Sequence, residues 1–229
     1  ALVHMGRILA ETLTLLGGRT LPPLPADLAA LDDAVAEGRG VVLPSAHLGP
    51  WERVAATLAA RYEGFVAVGR ESYDPALTSL YTRTRSALGV RCIFRGAPGS
   101  GAAMLRALRG AGVLGVPMDL RSRVPSLRVP FLGALAWTPV GPARLALRTG
   151  AAVVVATVAR GEGGLRLTAT RIPTADLAPD AAGEATLLRR INDELSARIR
   201  ACPHLWVWPH RRFDPAPPEL PRRPRSCRR

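Results

Sequence analysis

The hydrophobic positions of the chain fall into short blocks whose period switches between helical and strand-like. Leu2, Met5, Leu9, Leu13 and Leu16 recur at helical spacing and are closed by Gly17-Gly18, the pattern of an amphipathic helix. Leu21-Pro22-Pro23-Leu24-Pro25 reads as a linker, and Asp27 to Glu37 as a second helix stopped by Gly38. Beyond it the two periods alternate. Val41-Val42-Leu43, Phe65 to Val68, Val90 to Phe94 and Val113 to Met118 are compact apolar runs predicted as strands. Trp51 to Tyr62, Pro75 to Leu88 and Ala102 to Leu108 are the predicted helices between them. A long loop carrying Val129-Pro130-Phe131-Leu132-Gly133 precedes a helix from Pro142 to Arg148. Ala151 to Val158 and Leu165 to Ile172 read as a hairpin, Ala185 to Arg200 as the last long helix, and Trp206-Val207-Trp208 as a closing strand. Such alternation predicts an α/β fold, a mostly parallel mixed sheet with helices on both faces. The organisation implied is an amphipathic helix over 1–20, one domain over 21–213, and a Pro- and Arg-rich disordered tail over 214–229.

Composition narrows the class. A hydrophobic fraction of 48% in 229 residues fills one sizeable core. No run approaches the roughly 18 uninterrupted apolar residues of a membrane span. Cys92, Cys202 and Cys227 form no C-x-x-C pair and no metal-ligand spacing, and their odd number argues for a reducing compartment. The net charge is +13, and every basic residue is arginine. A surplus of that size attracts an acidic partner: an anionic lipid surface, an acidic carrier protein or nucleic acid.

Chemistry concentrates in His47-Leu48-Gly49-Pro50-Trp51-Glu52. His47 falls just past a predicted strand, where ligands gather in α/β sheets, and Pro50 suits the first turn of the next helix. At such a corner the chain can fold back and bring Glu52 to His47. The carboxylate would fix the imidazole tautomer and stabilise the ring as it accepts a proton from a hydroxyl. From spacing alone, a packing histidine and a glutamate that complements the helix dipole stay the commoner account.

The segment also resembles the His, four residues, acidic motif of the bacterial lipid A biosynthesis acyltransferases, a family that includes mycobacterial phosphatidylinositol mannoside acyltransferases. Three further blocks are similar in order and spacing: Arg85-Ser86-Ala87-Leu88-Gly89, the stretch from Asp119 through Val129-Pro130-Phe131-Leu132-Gly133 to Ala143, and Trp206 to Phe213. Pro50 and Leu120 depart from the family, which often has Asn and Gln there. The resemblance implies a glycerolipid acyltransferase-like fold. It also implies transfer of a fatty acyl group from an acyl-thioester, on acyl carrier protein or coenzyme A, to a hydroxyl of a lipid A precursor or related glycolipid. His47 would be the general base and Glu52 its orienting acid, without metal or organic cofactor. Arg70, Arg85, Arg95 and Arg121 are the expected phosphate-binding residues, with Asp119 orienting one of them; a guanidinium suits that task because it binds phosphate bidentately. The place of work would be the cytoplasmic face of the bacterial inner membrane, reached peripherally through the first helix or through an anchor upstream.

Other signals fall away. Gly110-Ala111-Gly112-Val113-Leu114-Gly115 matches a dinucleotide-binding pattern, but it leaves a helix and enters a strand, the reverse of that fingerprint. No Gly-x-Ser-x-Gly elbow is present. The rival class, a basic nucleic-acid-binding module suggested by Arg222 to Arg229, lacks a recognition motif and aromatics interleaved with arginine.

Overall fold

The computed structural model of the protein describes residues 2–161 and 163–216. The chain runs α1 (Leu2–Leu16), β1 (Ala26–Asp27), α2 (Ala29–Ala36), β2 (Val41–Ser45), α3 (Trp51–Arg61), β3 (Phe65–Gly69), α4 (Pro75–Ala87), β4 (Arg91–Phe94) and α5 (Ser100–Arg109). It continues with β5 (Val113–Pro117), β6 (Ser126–Phe131), β7 (Ala134–Pro139), α6 (Gly141–Thr149), β8 (Ala152–Gly161), β9 (Gly164–Ile172) and α7 (Ala181–Ala201). Seven strands form one sheet in the order β1-β9-β8-β2-β5-β3-β4. Every pairing in it is parallel except the β8–β9 hairpin, so the sheet is mixed and mostly parallel.

The central strands are apolar on both faces because helices cover both. Val41, Val42 and Leu43 of β2 and Val153 to Ala156 of β8 are all buried, as expected of strands inside an α/β sandwich. From β2 the chain moves through α3 and α4 toward the β4 edge, then returns through α5 and α6 toward β8. Right-handed crossovers therefore place the outgoing and returning helices on opposite faces. The reversal falls between the neighbours β2 and β5, so their carboxyl ends open onto a crevice at the switch point.

Three expectations are corrected. The stretch read as a long loop contains the β6–β7 hairpin, whose turn residues Leu132 and Gly133 have φ of 51° and 91°. That is the signature of a type I′ turn, made here without the Asn-Gly pair that usually announces one. Trp206 to Trp208 is no strand: Trp206 forms a single bridge with Leu48, after a 3₁₀ turn at Pro203–Leu205 and just before Pro209. In α1 the buried residues are Ile8, Thr12 and Leu15, whereas Leu9 and Leu13 of the expected stripe stay 57% and 58% exposed. The helix is apolar toward the domain and apolar again toward solvent. No helix among the described residues is long and apolar enough to cross a membrane.

Of the tail expected from residue 214, positions 214–216 are tied to the domain. Asp214 Oδ2 accepts from Arg121 at 2.8 Å, Ala216 O from Arg121 at 2.9 Å, and Pro215 O from Trp137 Nε1 at 3.2 Å. The remainder of that expectation, residues 217–229, lies outside the described residues.

Candidate active site

His47 follows β2 and Asp119 follows β5, two residues beyond each strand end. The parallel register pairs Val41 with Val113 through Ser45 with Pro117, and the same offset of 72 residues separates His47 from Asp119. The sheet thus delivers the two side chains to one point. Gly49 turns the chain into α3 with φ of 70°, so close to β8 that an added Cβ would meet Val158 Cγ2 at 2.6 Å. A side chain there would force the corner open.

Asp119 is fully buried and holds His47 twice, accepting from its backbone N–H at 2.9 Å and from its ring Nδ1 at 2.9 Å. A third donor, Trp206 Nε1, reaches Asp119 Oδ2 at 2.8 Å. Burial alone would favour the neutral carboxyl, but the His47 ring and these three hydrogen bonds outweigh it and hold the Asp119 pKa below its ordinary value. Burial likewise opposes a charge on His47. The carboxylates of Asp119 and, more weakly, Glu52 overcome it and lift the ring above its ordinary value. With Nδ1 engaged, Nε2 is the nitrogen left to take a proton.

Glu52 does not make the pair expected for it. It accepts two hydrogen bonds from Arg85, at 2.9 Å from Nε and 2.5 Å from Nη2. The expectation failed because Glu52, in the first turn of α3, is turned to Arg85 of α4, whereas the His47 ring faces the end of β5. Nor does Asp119 orient an arginine: its hydrogen bonds go to His47 and Trp206. Trp206 is both buried in the core and a support of the pair.

His47 opens into a cavity of about 1460 Å³ with two kinds of lining. Beneath α3 the wall is apolar, made by Leu43, Val54, Ala55, Leu58, Phe65 and Ala67. Gly115 keeps the floor open there, since a Cβ would stand 3.0 Å from the Phe65 ring. At the mouth are Arg70, Arg95, Arg121 and Arg123.

The structure divides the four expected phosphate-binding arginines. Arg85 is neutralised by Glu52, and Arg121 is held by Asp214. Arg70 lies over the Tyr73 ring at 4.1 Å, and among the described residues neither it nor Arg95 or Arg123 has a carboxylate at ion-pairing distance. Burial, and then the neighbouring Arg70, depress the Arg95 pKa. Sequence reasoning did not find Arg123, Tyr73 or His210, which also line the mouth. Val129 and Phe131 of β6 are buried in the core. Among the described residues no group of three or more His, Cys, Asp or Glu could hold a metal ion.

An imidazole–carboxylate pair thus stands at a switch point, beside a cavity lined by apolar side chains and by arginines. Comparison with known proteins identifies the family. Residues 25–214 match the bacterial lipid A biosynthesis acyltransferases, and the chain belongs to that family. It is similar to phosphatidylinositol mannoside acyltransferase from two strains of Mycobacterium tuberculosis, CDC 1551 / Oshkosh and ATCC 25618 / H37Rv. Each is 30% identical over 142 residues, 59% of this chain and 44% of the relative. The chain spans less than half the length of these curated relatives.

Proposed function

We propose that this protein transfers a fatty acyl group from an acyl-thioester to a hydroxyl of a lipid acceptor, with His47 as general base and Asp119 as the group that orients and charges it. The observation that carries the reading is the buried Asp119–His47 pair opening onto a cavity whose inner wall is apolar. The acceptor O–H gives its proton to His47 Nε2 as its oxygen bonds to the thioester carbon, whose C=O electron pair moves onto oxygen. When that pair returns, the C–S bond breaks and the thiolate leaves with the proton from His47. Asp119 stabilises the imidazolium between these two events. The acyl chain lies beneath α3, and Arg70, Arg95 and Arg123 take a phosphate of a substrate. The acyl donor is a thioester of acyl carrier protein or coenzyme A.

Family membership favours a lipid A precursor as acceptor. The likeness to the mycobacterial proteins favours a second reading, a mannosylated phosphatidylinositol. The protein works at the cytoplasmic face of the membrane, where the outward apolar face of α1 meets lipid.

The test supplies both acceptors and both thioesters to purified protein and reads acylated product by mass spectrometry. Wild type is expected to form one product, and His47→Ala to slow that reaction roughly 10²–10⁴-fold with an unchanged melting temperature. Normal turnover by a folded His47→Ala protein would remove the general base from the mechanism.

A further inference from the structure

The cavity holds a second imidazole that the steps above leave unused. His210 lines it, on a strap of chain over 203–216 that is fastened on both sides of that residue. On one side Trp206 is bonded to Asp119, and Val207 N–H donates to His47 O at 3.3 Å. On the other, Arg212 is fully buried over the Phe131 ring and donates to Trp137 O and, at 2.9 Å, to Thr138 Oγ1. Between these fastenings the backbone turns tightly twice, from His210 N–H to Trp208 O at 2.6 Å and from Arg212 N–H to His210 O at 2.8 Å. A ring placed by so many fixed points is set in position, not hung on a loose end.

His210 Nδ1 faces the backbone N–H of Arg121 at 3.5 Å, a long contact in which it would accept, and this favours the ring proton on Nε2. The charged and titratable groups around the ring are Asp119, Arg212, His47 and Arg121. Burial, with the three cationic or titratable neighbours, outweighs Asp119 and keeps the ring below its ordinary pKa, hence neutral near pH 7. Three other side-chain donors of the cavity are committed: Ser45 Oγ to Ala156 O at 2.9 Å, Arg85 to Glu52, and Arg121 to Asp214 and Ala216.

We infer that His210 is the electrophilic partner of His47, its Nε2–H donating to the thioester carbonyl oxygen and to the oxyanion that forms there. The inference rests on the acyl-transfer reading. A neutral imidazole suits the task, because it polarises a carbonyl without surrendering its proton. One histidine then removes a proton while the other, held in the opposite role by a backbone N–H, receives the negative charge.

Replacement by Ala and by Gln tests it, since a glutamine amide can present an N–H near the place of Nε2. His210→Ala should lower kcat roughly 10²–10³-fold, with KM for donor and acceptor nearly unchanged and the melting temperature kept. His210→Gln should recover about tenfold or more of that loss. A stable Ala variant with kcat within about threefold of wild type overturns the inference, as does a Gln variant no better than Ala. Should His210→Ala fail to fold, imidazole nitrogen NMR on the wild-type protein decides. A neutral Nε2–H tautomer near pH 7 is required, and an imidazolium or Nδ1–H form there overturns it. His47→Ala is run alongside. Activity retained by that variant sinks the general-base reading, whereas its loss beside an undisturbed His210→Ala sinks only the second imidazole.

Discussion

Two buried carboxylates bracket His47, and they are used in opposite ways. Asp119 is paired with a group that can gain or lose a proton; Glu52 is paired with a guanidinium that cannot. Asp119 comes from the end of a central strand, fully enclosed, and under the proposed mechanism its partner's charge changes. Glu52 and Arg85 join α3 to α4, a helix with no buried residue of its own. The guanidinium cannot shed its charge, so the pair acts as a fastening. The same side-chain chemistry serves reactivity in one place and architecture in the other, and the titratability of the partner separates the two.

The comparison can be broken most severely at Asp119. Asp119→Asn keeps the shape but removes the charge that stabilises the imidazolium, and turnover should fall by up to about 10⁴-fold. The pH profile supplies the sign. In wild type, kcat/KM should rise with pH along a limb whose midpoint lies above the ordinary histidine value, because Asp119 raises His47 and only the neutral ring is a base. In Asp119→Asn that midpoint should move down; an unmoved limb would mean that another group titrates there.

Glu52→Ala should instead act on stability. It strands the partly buried Arg85 without a partner, which costs roughly 3–5 kcal/mol, and the melting temperature should drop by roughly 6–20 °C. Removing both charges, in Glu52→Gln with Arg85→Gln, should recover much of that loss in the same thermal melt. No recovery would mean that the pair contributes more than the avoidance of an unpaired charge.

Two surfaces that carry neither carboxylate sharpen the contrast with smaller effects. Leu9→Gln with Leu13→Gln changes residues that already face solvent, so the melting temperature should hold while cosedimentation with anionic vesicles weakens about tenfold or more. Equal binding by the variant would clear α1 of membrane contact. Arg106 and Arg109, both exposed on α5, are neighbours that could receive an acidic carrier. Reversing both to Glu should raise KM for acyl carrier protein several-fold, flatten its salt dependence and leave kcat intact. Kinetics at two ionic strengths would show it, and an unchanged KM excludes this face.

The layered fold and the place of His47 were legible because each rests on local signals, a buried apolar run followed by a helix start. The partner of His47 was misread for a physical reason. Glu52 is near in sequence, whereas Asp119 is brought in by strand pairing 72 residues away. A signal for it did exist: both residues stand two positions past the ends of strands that prove adjacent. What the sequence could not supply was the adjacency, since β5 follows β4 in the chain but inserts between β2 and β3. The strap was misread similarly. Two tryptophans alternating about a valine look like a strand, yet Pro209 and the pull of Asp119 on Trp206 leave one bridge in its place. The β6–β7 turn escaped because Leu132 takes a positive φ that leucine rarely adopts.

The bond from Trp206 to Asp119 spans 87 residues, and that span is also an interval of time. A ribosome adding roughly 5–20 residues per second needs roughly 4–17 s to travel from one to the other. Through that interval β2 and β5 can already be paired and His47 already held, while Asp119 still lacks its third donor. The strap is therefore the last piece of the site to be made. A newborn chain holds its imidazole–carboxylate pair for seconds before the tryptophan that braces it exists.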